Sequence, residues 1–237
     1  MLKNSIYATC ITFATLMPQC GFASPQTDAA AHWPTQCEGA DASEKDRKAE
    51  RLPALAVDNL DAQQKQAISS ISSGPRGCIF GPFSIILRSP ELLNRTQEMG
   101  EYLRFRSVLP KELRELAILV VGRAYDSPYV WYIHEPIALE SGVRPEIVDS
   151  IAADRRPANM SEDEAVVYDF SRQLATTHFV SDDIFNRISN EFGQKSTVEL
   201  TGLIGYFATL ADHLNVARTP LPKGVDIQFG NNSTDKE

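Results

Sequence analysis

The chain has 237 residues, of which 43% are hydrophobic and 23% are charged, a composition typical of a globular protein. This length allows one domain of ordinary size together with an extra segment at one end. A net charge of −8 and a pI near 5.1 argue against the basic surface that nucleic-acid binding needs. We therefore expect no nucleic-acid partner.

Residues 1–23 have the pattern of a secretory signal peptide. A lysine near the start is followed by an apolar run from Ile6 to Met17, and Gly21 and Ala23 are the small residues that signal peptidase requires. The apolar run is too short to span a bilayer comfortably. We expect cleavage after Ala23 and a secreted or periplasmic protein that has no membrane contact once the signal is removed.

The following segment, residues 24–51, is predicted to be a flexible arm. It is rich in Ala, Asp, Pro, Gln and Lys and nearly lacks aliphatic side chains. Cys37 in this arm and Cys78 remain after signal cleavage, and in an oxidising compartment they can form a disulfide. Two free thiols are the alternative, because a sequence does not show whether the geometry allows pairing.

The domain predicted over residues 52–225 has mostly helical signals. A first helix begins at Asp61, and the next stretch is broken by glycine and proline residues, which predicts an ordered loop. Three helices then have a proline at the first helical position, at Pro90, Pro110 and Pro128.

Two capping boxes, in which a serine and a glutamate three residues later cap a helix, predict further helix starts. The first is Ser161 with Glu164, and the second is Ser196 with Glu199. No convincing run of alternating strand residues appears, so the predicted fold is all-α. Residues 226–237 are predicted to be a disordered tail.

Two pairs of segments resemble each other within the chain. SPELLNR at Ser89 is similar to SDDIFNR at Ser181, and ELAILVV at Glu115 is similar to ELTGLIG at Glu199. The second copy is shorter between its helices. This repetition predicts two similar helical-hairpin halves, and chance similarity between amphipathic helices is the alternative.

His134 and Glu115 are the candidate chemical groups. His134 shares a helix face with Val130 and Trp131, so it faces an apolar, aromatic stripe. Glu115 lies on a helix whose inner side is otherwise apolar. It either points outward beside Arg114 or turns inward, where it can hydrogen-bond to His134 and fix its tautomer. From the residues alone, His134 is either a core histidine or a functional one.

The segment LPKELRELAILVVGRAYDSPYVWYIHEPIALESGV resembles the core of the carboxymuconolactone decarboxylase family, whose fold is shared with alkylhydroperoxidase D-like proteins. The segments GPRGCIFGPFSIILRSPEL, EDEAVVYDF and ELTGLIGYFATLADHLNVARTPLP are also similar, so the resemblance covers about Leu52 to Pro222. It implies an all-α helical bundle that assembles as a homo-trimer or homo-hexamer.

The peroxidase branch of that family uses a glutamate, a CxxC pair and a histidine. The resemblance places the glutamate at Glu115 and the histidine at His134, whereas Ser127 and Val130 occupy the two cysteine positions. A dithiol cycle is therefore impossible. The decarboxylase-like branch, which lacks the cysteines, fits better, and it releases CO₂ from a lactone acid and protonates the resulting enolate.

The resemblance implies general acid/base catalysis by His134, oriented by Glu115. Tyr129 and Trp131 in the same segment are expected to bind substrate. Asn215 resembles a recurring family position and either lines the pocket or caps a helix end.

A cation, Arg88 or Arg114, would orient a substrate carboxylate, with solvated surface charge as the alternative. Close relatives in that family often have YEW where this chain has YVW at Val130. The loss of that carboxylate weakens any transfer of the specific reaction.

These observations predict an exported, cofactor-independent carbon–carbon lyase, decarboxylase-like, that acts on a small organic acid or lactone. One alternative is a peroxidase-like antioxidant activity inherited with the fold. Another is a non-catalytic helical oligomer or ligand-binding protein, since fold does not imply function. We expect no metal, because no histidine pair has metal-site spacing.

Overall fold

The computed structural model describes residues 42–227 and 229, and this part of the chain is all-helical, as the sequence predicts. The predicted signal peptide and Cys37 lie outside the described residues. The helices are α1 (Glu44–Ala49), α2 (Ala62–Ser72), α3 (Pro82–Ile86), α4 (Pro90–Phe105), α5 (Lys111–Ala124), α6 (Pro128–Glu140), α7 (Pro145–Ala152), α8 (Glu162–Thr177) and α9 (Asp182–Ala217).

Helix α5 is the centre of the bundle and packs against α6, α7, α8 and α9. Its side chains Leu116, Leu119 and Val121 are fully buried. A helix that is apolar on nearly all sides is expected in the middle of a core. Burial of each such side chain stabilises the fold by roughly 1.5–3 kcal/mol.

The predicted helix starts are largely confirmed. Asp61 begins α2 through a capping box with Gln64, and Ser161 begins α8 through a capping box with Glu164. Prolines stand at the first positions of α4 and α6. Pro110 is the cap residue of α5 rather than its first helical residue.

The second predicted capping box is wrong. Ser196 lies buried inside α9, and the Glu199 carboxylate accepts hydrogen bonds from the Tyr102 hydroxyl and from the Val108 backbone N–H. These contacts join α9 to α4 and to the loop before α5. The two helices that the sequence predicts in this region are both present, and they meet at a kink at Gly193, where φ is 77° and ψ is 167°.

The end of the predicted flexible arm, residues 42–51, has defined structure instead. Ser43 caps α1, and the Arg51 backbone N–H donates to the Ala217 carbonyl at 2.7 Å. This bond fixes the chain against the end of α9. The prediction of a flexible arm therefore does not hold for these ten residues.

Phe229, in the predicted disordered tail, is also ordered. Its side chain is buried, and its ring meets the Trp131 ring edge-on at 5.4 Å between centroids. The guanidinium carbon of Arg123 lies 5.1 Å from the centre of the Phe229 ring. Within the described part of the chain, no helix is both long and apolar enough to cross a bilayer.

Gly193 and Gly205 provide a matched test of backbone strain in α9. A Cβ added at either position meets nothing within 4 Å, but only Gly193 has a positive φ, of 77°. We expect Gly193→Ala to lower the free energy of unfolding by about 1–3 kcal/mol. Gly205→Ala should raise it by up to about 1 kcal/mol, because alanine favours a helix. Urea unfolding measures both, and equal effects would contradict this account.

Candidate active site

A small cavity of about 40 Å³ lies between α3, α4, α6 and α9. That volume holds about three water molecules. All of its lining side chains except Phe80 are buried. The cavity is lined by Arg76, Phe80, Pro82, Phe83, Arg104, Tyr129, Val130, Ile133, His134, Phe207, Leu210 and Leu214.

His134 lies in the cavity wall and is hydrogen-bonded to Glu115. The distance from His134 Nδ1 to Glu115 Oε2 is 2.7 Å, and both side chains are buried. The ring of Phe207 stands edge-on to the imidazole at 4.9 Å. Of the two orientations that the sequence allows for Glu115, the structure has the inward one.

Arg104 is a third member of this network, and the sequence reading missed it. Its Nη2 donates to Glu115 Oε1 at 3.3 Å, and the side chain is only 8% exposed. A signal was present, since Leu93, Gln97, Gly100 and Arg104 follow one another at helical spacing on one face of α4.

The ionisation of the network follows from burial and charge. Burial raises the pKa of Glu115, but His134 and Arg104 outweigh it and lower that pKa to about 2. For His134, burial lowers the pKa, and this effect exceeds the opposing influence of Glu115. At neutral pH Glu115 is therefore a carboxylate and His134 a neutral imidazole. Its Nδ1–H donates to Glu115, which leaves Nε2 with a lone pair.

Arg76 is the second buried arginine of the cavity wall. Its Nη2 donates to the Tyr206 hydroxyl at 3.2 Å, and its guanidinium carbon is 4.6 Å from the centre of the Phe83 ring. Gly100 makes this pairing possible. A Cβ there would lie 2.0 Å from the Tyr206 hydroxyl oxygen and 2.6 Å from Arg76 Nη2.

Among the residues predicted to bind substrate, Tyr129 lines the cavity. It also lines a second cavity of about 270 Å³, so both spaces share this residue in their walls. Trp131, the next predicted substrate contact, packs against Phe229 instead and does not line the small cavity.

The predicted cations and Asn215 lie away from His134. Arg88 is exposed and donates to the Pro53 carbonyl. Arg114 donates to the backbone carbonyls of the loop before α5. Asn215 donates to the Tyr125 carbonyl at 2.8 Å, so it ties two segments together. None of these three side chains lines the cavity. The arginines in its wall are Arg76 and Arg104, and both are buried.

The two positions aligned with the family's cysteines differ in environment. Val130 lines the cavity, and Ser127 is fully buried at the start of α6, with a hydroxyl that has no hydrogen-bond partner among the described residues.

Cys78 is in a disulfide bond. Its pairing with Cys37 stays a prediction. In the described part of the chain, no group of three or more His, Cys, Asp or Glu side chains is arranged to hold a metal ion.

Residues 90–169 match the model of the carboxymuconolactone decarboxylase family. The resemblance to this family is confirmed. The matched region contains Arg104, Glu115 and His134, and it lacks the CxxC pair. None of the curated proteins compared with the chain matches it.

Two solved structures share the fold. One is an alkylhydroperoxidase AhpD core, described as an uncharacterized peroxidase-related protein from Ralstonia eutropha JMP134, with 17% identity and a TM-score of 0.59 over 73% of this chain and 92% of that one. The other is a cysteine-to-alanine variant of the debrominase Bmp8 in complex with 2,3,4-tribromopyrrole. It has 13% identity and a TM-score of 0.57 over 75% of this chain and 91% of that one. The fold is therefore alkylhydroperoxidase D-like.

The ionisation of His134 predicts a pH-dependent stability. Because burial lowers its pKa in the folded protein, the unfolded chain binds a proton there below about pH 6.5 that the folded chain does not. We expect the free energy of unfolding to fall from pH 7 to pH 5, and to fall less in His134→Gln. The stability that ionised Glu115 contributes is lost only at lower pH, between its ordinary pKa of 4.5 and its pKa of about 2 in the folded protein.

Urea unfolding of both proteins at pH 7 and pH 5 measures this difference. His213→Gln is the matched control, since His213 lies on α9 outside the cavity and bonds only to a backbone carbonyl of its own helix. It should keep the wild-type pH dependence. A wild-type pH dependence in His134→Gln would contradict the assignment of a neutral, buried imidazole.

Proposed function

We propose that the protein is an exported, cofactor-independent enzyme related to the carboxymuconolactone decarboxylases, and that it acts on a small organic acid or lactone. One observation carries this proposal. The buried His134 faces an apolar cavity and is held by the carboxylate of Glu115 at 2.7 Å. A positioned imidazole in a water-poor pocket is suited to general acid/base chemistry.

In the proposed mechanism His134 accepts a proton and returns it. The Glu115 carboxylate accepts the Nδ1–H bond, which orients the ring and leaves Nε2 as the base. Once protonated, the imidazolium is stabilised by the adjacent carboxylate and becomes the acid. In a decarboxylation, it would protonate the carbon from which CO₂ has left. A positioned acid/base of this kind typically contributes about 10²–10⁴-fold to a rate.

The size of the cavity supports a small substrate. A space of about 40 Å³ accommodates a few non-hydrogen atoms beside His134. A lactone acid as large as that of the family's name would require more space than this cavity provides. Val130 lines the wall where close relatives have a glutamate, so a second carboxylate is absent from that position.

Val130 also favours the second candidate, a non-catalytic ligand-binding protein. An aliphatic side chain in place of a carboxylate keeps the pocket suited to binding while removing a chemical group. A thiol peroxidase is the least supported alternative, because Ser127 and Val130 stand in the two cysteine positions.

Export and self-association are part of the proposal. The disulfide at Cys78 supports an oxidising compartment such as the periplasm or the extracellular space. Large apolar side chains on the surface of α4 and α9, Met99 at 48% and Val198 at 70% exposure, support contact with further copies of the chain. A homo-trimer or homo-hexamer is the proposed assembly.

The decisive experiment measures CO₂ release and proton uptake over a panel of small organic acids and lactones. We expect at least one compound to be turned over, with kcat reduced about 10²–10⁴-fold in His134→Gln. The matched control His213→Gln should retain wild-type kcat. If turnover is the same in His134→Gln, His134 is only a core residue. If no compound is turned over, the binding-protein alternative becomes the better one.

A further inference from the structure

The charges around the cavity do not balance. Arg76 and Arg104 are both buried, at 5% and 8% exposure, and the buried carboxylate of Glu115 pairs with Arg104. His134 is neutral at pH 7 because burial lowers its pKa. The cavity wall therefore carries one positive charge more than it carries negative charges.

Arg76 holds that unbalanced charge. No described carboxylate lies within ion-pairing distance of its guanidinium, and Glu101, which attracts it from further away, pairs with Arg106 at 3.5 Å. Buried arginines are normally paired, since an isolated charge away from water is costly. The Phe83 ring and the Tyr206 hydroxyl offset only part of that cost.

The hydrogen bonds of Arg76 are equally incomplete. A guanidinium has five N–H donors in a planar fork. Within the described residues Arg76 uses one, from Nη2 to Tyr206, and its buried Nε has no partner. Such a fork matches the two oxygens of a carboxylate, which it binds through two parallel hydrogen bonds.

The geometry points to Arg76 as the anion-binding residue of the cavity, with a short-chain monocarboxylate as its ligand. One carboxylate neutralises the one unbalanced positive charge. The aliphatic remainder of a two- or three-carbon acid fits the remaining space, against Phe83, Val130 and Leu210. This assignment rests on the proposed function in that it names the substrate class of the same site.

Arg76 and His134 then have separate tasks. Both line the same cavity, so a carboxylate held by Arg76 lies near the imidazole. Arg76 determines which molecules bind, and His134 acts on them. Arg104 is not the anion-binding residue, because its Nη2 already pairs with Glu115 Oε1 at 3.3 Å.

The test is isothermal titration calorimetry of the whole mature protein with propionate and with its neutral isostere propionamide. We expect propionate to bind and propionamide to bind at least about tenfold more weakly, because a charge-assisted, two-oxygen contact is lost. This comparison uses only the wild-type protein. Equal binding of the two compounds, or no binding of propionate, would overturn the inference.

Variants assign the binding to one residue. Arg76→Met should weaken propionate binding about tenfold or more. Arg76→Lys keeps the charge but not the planar set of donors, so its propionate affinity should lie between those of the wild type and Arg76→Met. Arg88→Gln, which removes an exposed arginine outside the cavity, is the matched control and should bind as the wild type does. Wild-type affinity in Arg76→Met would overturn the inference.

Propionate binding and turnover of the panel compounds, measured separately, distinguish this inference from the proposed function. Propionate binding without turnover of any panel compound refutes the enzyme but supports the anion site. Turnover whose KM is unchanged in Arg76→Met supports the enzyme but refutes the anion site.

Discussion

The structure of the site depends on one buried carboxylate. Glu115 lies on the central helix, where an isolated charge would cost several kcal/mol, and its stability there requires His134 on one oxygen and Arg104 on the other. These two partners come from α6 and α4. The network therefore sets the relative positions of three helices and, in the same step, the tautomer of the histidine.

The same network determines the electrostatics of the cavity beside it. Glu115 is satisfied by Arg104 and His134, so it does not also neutralise Arg76. Tyr206 and Gly100 bring Arg76 into the wall, the first through its hydroxyl and the second by leaving room. The proposed anion site therefore combines one unbalanced cation with a neutral imidazole in an apolar space.

The match of residues 90–169 to the family model and the shared fold place this site in a common scaffold but do not assign its reaction. The two solved structures share the fold at low identity, and this chain has no thiol at either position of the CxxC pair. Val130, at the second of these positions, contributes an aliphatic surface to the cavity. The proposed chemistry therefore rests on the Glu115–His134 pair, whose hydrogen bond the structure shows.

The sequence by itself determined the all-α fold and most helix starts, because capping chemistry and helical periodicity depend on residues that are close in the chain. It named Glu115 and His134 as candidates but left the direction of the Glu115 side chain open. It misjudged the capping box of Ser196 and Glu199, because the Glu199 carboxylate bonds instead to Tyr102 on α4 and to the Val108 N–H in the loop before α5. Only the tertiary structure decided which arginines enter the cavity. Arg76 comes from a loop and Arg104 from the end of α4, and their burial depends on packing between segments that are distant in the chain.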